Sequence, residues 1–161
     1  ALQMNSGAAT ARGDVLLFLH ADTRLPPGVL PLLESRVSHA HDWGRFDVRI
    51  EGRPAMLKWV AWLMNWRSRL TGIATGDQAM FMTRAAFDAV GGFPQQPLME
   101  DIEMSSRLRR LARPLCLTDQ VVTSGRRWEQ RGVWRTIFLM WRLRWAYWRG
   151  VPAGQLAKAY R

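Results

Sequence analysis

The sequence predicts an α/β fold, a mixed sheet flanked by helices, within a single domain that spans residues 1–161. Short segments typical of strands, either wholly apolar or with alternating apolar and polar residues, are interspersed with longer segments of helical periodicity. Hydrophobic residues make up 48% of the chain, which is enough for a substantial core. The chain has neither an internal repeat nor a low-complexity linker, so one domain accounts for all of it.

Four segments have the composition and periodicity of strands. Residues 15–20 begin with a wholly apolar run that is too short for a helix and typical of a strand buried on both faces. In 43–51 apolar and polar side chains alternate, which predicts a half-exposed strand. The other two are the short apolar segment 79–82 and the segment 114–122. The last contains the only cysteine, Cys116, which we expect to be an inert buried thiol.

Helical periodicity and capping residues mark the segments between and after the strands. We predict helices that end near Gly13 and that cover about 27–40, 54–70, 84–90, 99–111 and 131–149, with a short one after Pro152. The Thr83 hydroxyl can cap the helix that starts at Arg84. Gly91 and Gly92 are placed to end the same helix, because glycine adopts the left-handed conformation of a helix end at little cost.

The most informative segment is Leu98–Glu103, which places three carboxylates within four residues where a loop gives way to a helix. In one interpretation these acids only cap the helix or interact with its dipole. In the other, one of Glu100 and Asp101 orients a substrate or takes up charge while its neighbour acts as a general base. The pairing of two acids in a chain so poor in acids favours the chemical interpretation.

His20 and Asp22 follow the apolar run of the first strand. Ligands bind at the carboxyl ends of the strands in open α/β sheets. Because His20 and Asp22 are two residues apart, a strand would point both to the same side, where they could share a divalent metal ion. The alternative is that Asp22 or Thr23 caps the next helix, and the spacing leaves both possibilities open.

The charge and the aromatic content indicate an anionic partner. The net charge is +10, the isoelectric point is near 11.4, and there are nine tryptophans. Nucleic acid, a membrane surface or a phosphorylated substrate would each suit such a chain. A non-catalytic module that binds nucleic acid is disfavoured, because neither a zinc knuckle nor a motif of the common RNA-binding folds is present.

Tryptophans recur at three- and four-residue steps in the last long helix, beside arginines. The stripe consists of Trp134, Ile137, Trp141, Trp145 and Trp148, and the earlier helix repeats the pattern with Trp59, Trp62 and Trp66. Tryptophan flanked by arginine is typical of a helix that lies at a membrane surface. Burial in the core or in a dimer contact is the alternative, so the oligomeric state stays open.

Six segments occur in an order that resembles a known family. They are Gln3–Ala8, Leu17–Thr23, Gly76–Gln78, Gly91–Pro94, Met99–Glu103 and Ser124–Trp128. The ordered set resembles the family-2 glycosyltransferases with the GT-A fold, and most of all a bacterial glycosyltransferase-like subgroup. The resemblance implies that a sugar is transferred from a nucleotide-sugar donor to an acceptor, which could be lipid-linked.

The resemblance also implies roles for individual residues. The metal motif of the family falls on His20-Ala21-Asp22, so Asp22 and His20 would hold Mg²⁺ or Mn²⁺ at the donor diphosphate. The general base of the family falls on Asp101, beside Glu100.

Four further residues match family positions that line the substrates. Asp77 and Gln78 would lie on the donor or acceptor side, Arg127 would be available to the phosphates, and Trp128 would stack on a sugar or acceptor. Ser124 stands where the family motif has Gln or Arg, which does not support a processive polymerase.

In the family, the first two βα units hold the nucleotide base and ribose, and they precede the region that matches Gln3. The chain therefore resembles the C-terminal two-thirds of such a domain, and we expect it to be a fragment of a longer gene product. We expect a cytoplasmic location, in keeping with the single cysteine, with contact to the inner face of the membrane.

Overall fold

The computed structural model describes residues 1–160 as a curled, mixed five-stranded sheet with helices on both faces. The strands are β1 (Val15–Phe18), β2 (Thr23–Arg24), β3 (Trp43–Glu51), β4 (Met80–Thr83) and β5 (Leu115–Ser124). Their order in the sheet is β1-β4-β3-β5-β2. Only β3 and β5 pair in parallel, and the other neighbours are antiparallel.

Eight α-helices connect or follow the strands in residues 1–160. They are α1 (Leu2–Thr10), α2 (Val29–Arg36), α3 (Met56–Thr71), α4 (Arg84–Ala89), α5 (Glu100–Leu108), α6 (Arg126–Arg131), α7 (Val133–Trp148) and α8 (Ala153–Tyr160). The predicted mixed α/β class is confirmed. None of the described helices combines the length and the apolarity that a membrane crossing requires.

Local signals located several elements well. The strand predicted over 43–51 has those bounds, and the Thr83 hydroxyl accepts a hydrogen bond from the Ala86 N–H to cap α4, as predicted. Gly91 and Gly92 both have a positive φ directly after α4. The predicted glycine stop at Gly13 is wrong, because α1 already ends at Thr10.

Two other boundaries differ from the prediction. The helix predicted over 131–149 is confirmed as α7, which begins two residues later, whereas α6 was not predicted. Gly132, with a φ of 83°, separates the two helices. The segment after His20 forms neither a strand end nor a helix cap. It is a turn closed by the Thr23 N–H donating to the His20 carbonyl at 3.0 Å, and Thr23 then begins β2.

The sheet separates two apolar clusters. Met80 and Met82 of β4 face one cluster with α1, α4 and α5, whereas Phe81 faces the other with α2 and α3. A third cluster holds α7 and α8 against the start of α5 through Met99, Leu143 and Leu156. The last helices are therefore fixed next to the acidic segment by apolar burial.

The prediction that β3 is half-exposed is wrong, because most of this strand is covered on both faces. Arg45 is 0% exposed, and its guanidinium donates to the Ser68 hydroxyl, the Asn65 carbonyl and the Asp47 carboxylate. Asp47 also accepts from Arg69 at 2.7 Å. The charges that suggested exposure are thus paired inside the fold, which is the usual condition for burying them.

The side chain of Asn65 on α3 hydrogen-bonds to the part of β3 that does not pair with β4. β4 pairs with β3 only at residues 43–45. Beyond that point, Asn65 accepts from the Val48 N–H at 2.9 Å and donates to the Val48 carbonyl at 3.0 Å. An amide side chain thereby satisfies backbone groups that would otherwise be left unpaired.

Candidate active site

A cleft of about 2200 Å³ opens where β1 ends, β4 begins and α5 starts. The loop after β1, the loop before β4 and the first turn of α5 contribute His20, Asp77 and Asp101 to it. Helices α3 and α7 contribute Arg67 and Arg144. The topology explains this meeting, because β4 runs antiparallel to β1 and so begins at the edge where β1 ends.

Asp101 is anchored in the cleft by two backbone donors. Its Oδ2 accepts the Gly76 N–H at 2.9 Å, and its Oδ1 accepts the Ile102 N–H at 2.8 Å. Its own carbonyl accepts from the Ser105 hydroxyl at 2.8 Å, and the same hydroxyl accepts the Ala74 N–H at 3.1 Å. The start of α5 is therefore tied at two points to the loop before β4.

Burial raises the pKa of Asp101, although the hydrogen bond from Gly76 acts against this. The negative charge of Glu100 raises the pKa further, while Arg144 lowers it. Glu100 lines the same cleft. A carboxylate with a raised pKa is a stronger base, so the environment suits proton abstraction better than an exposed helix cap would.

His20 pairs with Asp77 and not with Asp22. The His20 Nδ1 lies 3.5 Å from the Asp77 Oδ1, and both side chains are about half exposed. The hydrogen bond with Asp77 raises the pKa of His20 above 6.5, with smaller contributions from the charges of Asp101 and Asp22. Asp22 lies in the exposed turn next to them. The predicted proximity of His20, Asp22 and Asp101 is therefore confirmed, but the partner of His20 was missed.

Gly76 allows the imidazole to pack against the backbone. A Cβ atom at this position would lie 2.2 Å from the His20 Nε2 and 2.5 Å from its Cε1. Since no pair of such atoms approaches this closely, any larger residue must displace His20. The absence of a side chain at Gly76 thus positions both His20 and, through its N–H, Asp101.

Two residues with strained backbone flank the cleft. Ala79 has a φ of 48° and Met99 a φ of 65°, and in residues 1–160 they are the non-glycine residues with a positive φ. Both are buried, Ala79 directly before β4 and Met99 directly before α5. Left-handed backbone costs about 1–3 kcal/mol at such a residue and persists where the surrounding packing imposes it.

Arg67 and Arg144 were not among the predicted site residues. Nε and Nη2 of Arg67 and Nε of Arg144 are buried and have no hydrogen-bond partner among residues 1–160. A helical spacing does point to Arg67, because it follows Val60 by seven residues and so lies on the inner face of α3. Nothing in the sequence shows that Arg67 and Arg144 line the same cavity.

The other predicted residues have mixed outcomes. The prediction for the side chain of Gln78 is wrong, because Gln78 is 0% exposed and donates to Asn65 at 3.3 Å instead of lining the cleft. Arg127 and Trp128 do line the cleft. However, Arg127 donates to the Tyr160 hydroxyl and lies over its ring, while Trp128 packs partly into the core.

The residues present do not fit the predicted metal site. Across residues 1–160, nowhere do three His, Cys, Asp or Glu side chains converge as metal ligands. At the predicted position, His20 is engaged by Asp77, and Asp22 lies in the exposed turn beside them.

Comparisons of the chain with protein-family models, with curated proteins and with solved structures found no match. The geometry of the cleft is thus the main guide to function.

Proposed function

We propose that this protein is a glycosyltransferase related to family 2, with the GT-A fold, and that Asp101 is its general base. The single observation that carries the proposal is the placement of Asp101. It lies in the cleft with a raised pKa, held by the Gly76 N–H and surrounded by His20, Asp77 and two arginines. The mixed sheet and the ordered motifs of the sequence agree with this assignment.

In the proposed reaction, the acceptor hydroxyl loses its proton to Asp101 while its oxygen attacks the anomeric carbon of the donor sugar. A new glycosidic bond forms as the bond from that carbon to the diphosphate oxygen breaks, and the nucleoside diphosphate leaves with the bonding electrons. General base catalysis of this kind contributes about 10²–10⁴-fold to the rate. Glu100 supports the step by raising the pKa of Asp101.

His20 and Asp77 serve as positioning residues in this proposal. Their contact fixes the imidazole over Gly76, next to the N–H that holds Asp101. The pair thereby limits the conformations open to the loop before β4. Restricting a catalytic group to its productive geometry is worth several kcal/mol in favourable cases.

The test is to assay the full-length protein and its Asp101→Asn variant for release of nucleoside diphosphate from a panel of nucleotide sugars. The amide oxygen can still accept the Gly76 N–H, and only the bond from the adjacent Ile102 N–H is lost, so we expect the variant to fold. The amide cannot take a proton from the acceptor. Transfer should fall by about 10²-fold or more. Glu103→Gln, the same charge change on the same helix, is the control because Glu103 pairs with Arg107 away from the cleft. Near-normal turnover by Asp101→Asn would remove Asp101 from this role.

A second candidate function is contact with a membrane surface, and one observation favours it. The side chains of Trp134, Trp141, Trp145 and Trp148 are between 59% and 80% exposed, so the stripe on α7 is an outer surface and not core. On α3, Trp59, Trp62 and Trp66 are also exposed. Apolar surface of this extent beside arginines suits the interface of an anionic membrane. The contact would bring the cleft close to a lipid-linked acceptor.

A further inference from the structure

Arg67 and Arg144 are two partly buried cations, and the described fold provides no acceptor for three of their nitrogen atoms. Nε and Nη2 of Arg67 and Nε of Arg144 are buried without a hydrogen-bond partner in residues 1–160. Leaving donors of a charged group buried and unpaired is costly, and folded proteins rarely do so. An unpaired guanidinium in a cleft therefore indicates that the acceptor comes from outside the chain.

Arg45 is an arginine of this fold whose role is structural, and its hydrogen bonds can be compared with those of Arg67. It is fully buried, and its guanidinium donates to Ser68, Asn65 and Asp47. Arg67 lies just two residues from Asn65 on the same helix, yet its buried donors lack such partners. This difference in hydrogen bonding indicates that Arg67 has a role other than stabilising the interior of the fold.

Arg67 and Arg144 line the same cavities. Both line the large cleft that contains Asp101, and both line a smaller cavity of about 550 Å³ that joins it between α3 and α7. The other residues around the smaller cavity are Phe138, Trp141, Arg142 and Trp145. Three arginines and an aromatic wall thus lie next to the candidate base, and buried donors without a partner belong to Arg67 and Arg144.

The charge balance favours a ligand with negative charge. Burial and repulsion from Arg144 lower the pKa of Arg67 to about 10, so it is still charged at neutral pH. Burial also lowers the pKa of Arg144, although the negative charges of Asp101 and Asp77 act in the opposite sense. An anion bound between the guanidiniums would relieve both their repulsion and their unmet hydrogen bonds.

We propose that Arg67 and Arg144 form an anion subsite that binds a phosphate or diphosphate group of a substrate. Guanidinium groups match phosphate oxygens in geometry, and they donate several charge-assisted hydrogen bonds at once. The group could be the diphosphate of a nucleotide sugar or the phosphate of a lipid-linked acceptor. This inference adds a substrate group to the proposed function. The binding of an anion does not depend on that function, whereas the reaction at the site does.

Binding is measured by titration calorimetry on the full-length protein, in a buffer that contains a metal chelator. The probes are inorganic pyrophosphate and farnesyl phosphate below its micelle concentration. The variants are Arg67→Gln and Arg144→Gln, and Arg49→Gln on β3 is the control, because it removes the same charge from an exposed position outside both cavities. Thermal melting of each variant verifies folding.

We expect at least one probe to bind, on the order of tenfold or more weaker in each subsite variant, and unchanged in Arg49→Gln. Tighter binding of farnesyl phosphate than of pyrophosphate identifies a lipid phosphate as the source, and the reverse order identifies the donor diphosphate. Failure of both probes to bind, or an equal loss in Arg49→Gln, would overturn the subsite. If a subsite variant does not fold, Arg67→Lys, which keeps the charge but loses the planar fork, is used and should also weaken binding.

Because these titrations involve no turnover, their outcome is separate from that of the transfer assay. A protein that binds the probes but transfers no sugar would contradict the proposed function and leave the subsite in place. A protein that transfers sugar normally in the Arg67→Gln and Arg144→Gln variants would contradict the subsite alone.

Discussion

The Gly76 N–H donates to the Asp101 Oδ2 at 2.9 Å and so joins two loops that lie 25 residues apart in the sequence. This bond places the carboxylate of α5 at the edge where β1 ends and β4 begins. It also links Asp101 to His20, since the imidazole packs on Gly76. Most of the expected behaviour of the site follows from this one connection.

The first prediction concerns pH. Since only the ionised carboxylate of Asp101 can accept a proton, kcat/KM should rise with pH through the pKa of this group. Burial raises that pKa, so the rise should lie above the ordinary value of 3.8. The Glu100→Gln variant should move the rise to lower pH, because it removes a negative charge that raises the pKa.

The pH profile of kcat/KM for the wild type, for Glu100→Gln and for Glu103→Gln is the measurement. A rise at or below the ordinary pKa of a carboxyl group would contradict the buried environment of Asp101. An unchanged midpoint in Glu100→Gln would assign the rise to a different group.

The second prediction concerns Gly76. The Gly76→Ala substitution should reduce kcat/KM by about 10²-fold, since displacement of a catalytic group by about 1 Å can cost that much. Its new Cβ would collide with the His20 imidazole and disturb the N–H that holds Asp101. The melting temperature should change little, because the φ of Gly76 is not in the positive range.

Two comparisons test this explanation. Gly7→Ala on α1 is the matched control, since a Cβ there meets nothing within 4 Å. The double variant with His20→Ala removes the collision and should recover part of the lost activity. Full activity in Gly76→Ala would show that the close packing has no role in the reaction.

The third prediction concerns stability. Asp47→Ala should destabilise the protein by about 3–5 kcal/mol, because it leaves the buried charge of Arg45 without its partner. Glu51, also on β3, forms an exposed ion pair with Arg24 of β2. Glu51→Ala should therefore lower the free energy of unfolding by only about 0–1 kcal/mol. Urea denaturation followed by tryptophan fluorescence measures both free energies of unfolding. Similar losses in the two variants would show that burial does not set the value of the Asp47 contact.

The fourth prediction concerns membranes. The protein should bind vesicles that contain anionic lipid, with a blue shift of tryptophan emission as the α7 indoles leave water. Apolar burial contributes at roughly 25 cal/mol per Å², and each arginine near the surface adds about 1 kcal/mol. High salt should weaken the binding without abolishing it, because only the electrostatic part is screened.

Substitution of Trp145 and Trp148 by serine should weaken vesicle binding, whereas Leu2→Ser, at an exposed apolar residue of α1, should not. Preference for oligonucleotides over vesicles, with affinity that falls steeply with salt, would instead support a nucleic-acid-binding module. Binding to neither would mean that the exposed stripe has another partner.

Local sequence was sufficient for features that depend on neighbours along the chain. The Thr83 cap, the positive φ of Gly91 and Gly92, and the bounds of β3 all follow from preferences within a few residues. The prediction that His20 and Asp101 approach one another also succeeded, because it used the rule that strand ends collect at one edge.

Contacts between distant segments were beyond local patterns. The sequence placed β2 in a loop, because two residues have no period and depend entirely on pairing with β5. It treated Arg45 and Asp47 as exposed, because alternation alone does not show that α3 covers their side of the strand. It suggested that His20 and Asp22, two residues apart, share a ligand, whereas the loop before β4 brings Asp77 to His20.

By itself, the sequence determined the α/β class and most of the helices and strands, and it singled out the acidic segment that the fold places in the cleft. Only the tertiary structure decided which side chains face Asp101 and which cations remain without partners, namely Arg67 and Arg144. The physical reason is that propensities and caps act over one or two turns of backbone. The surroundings of a buried charge depend instead on how separate helices pack across the sheet.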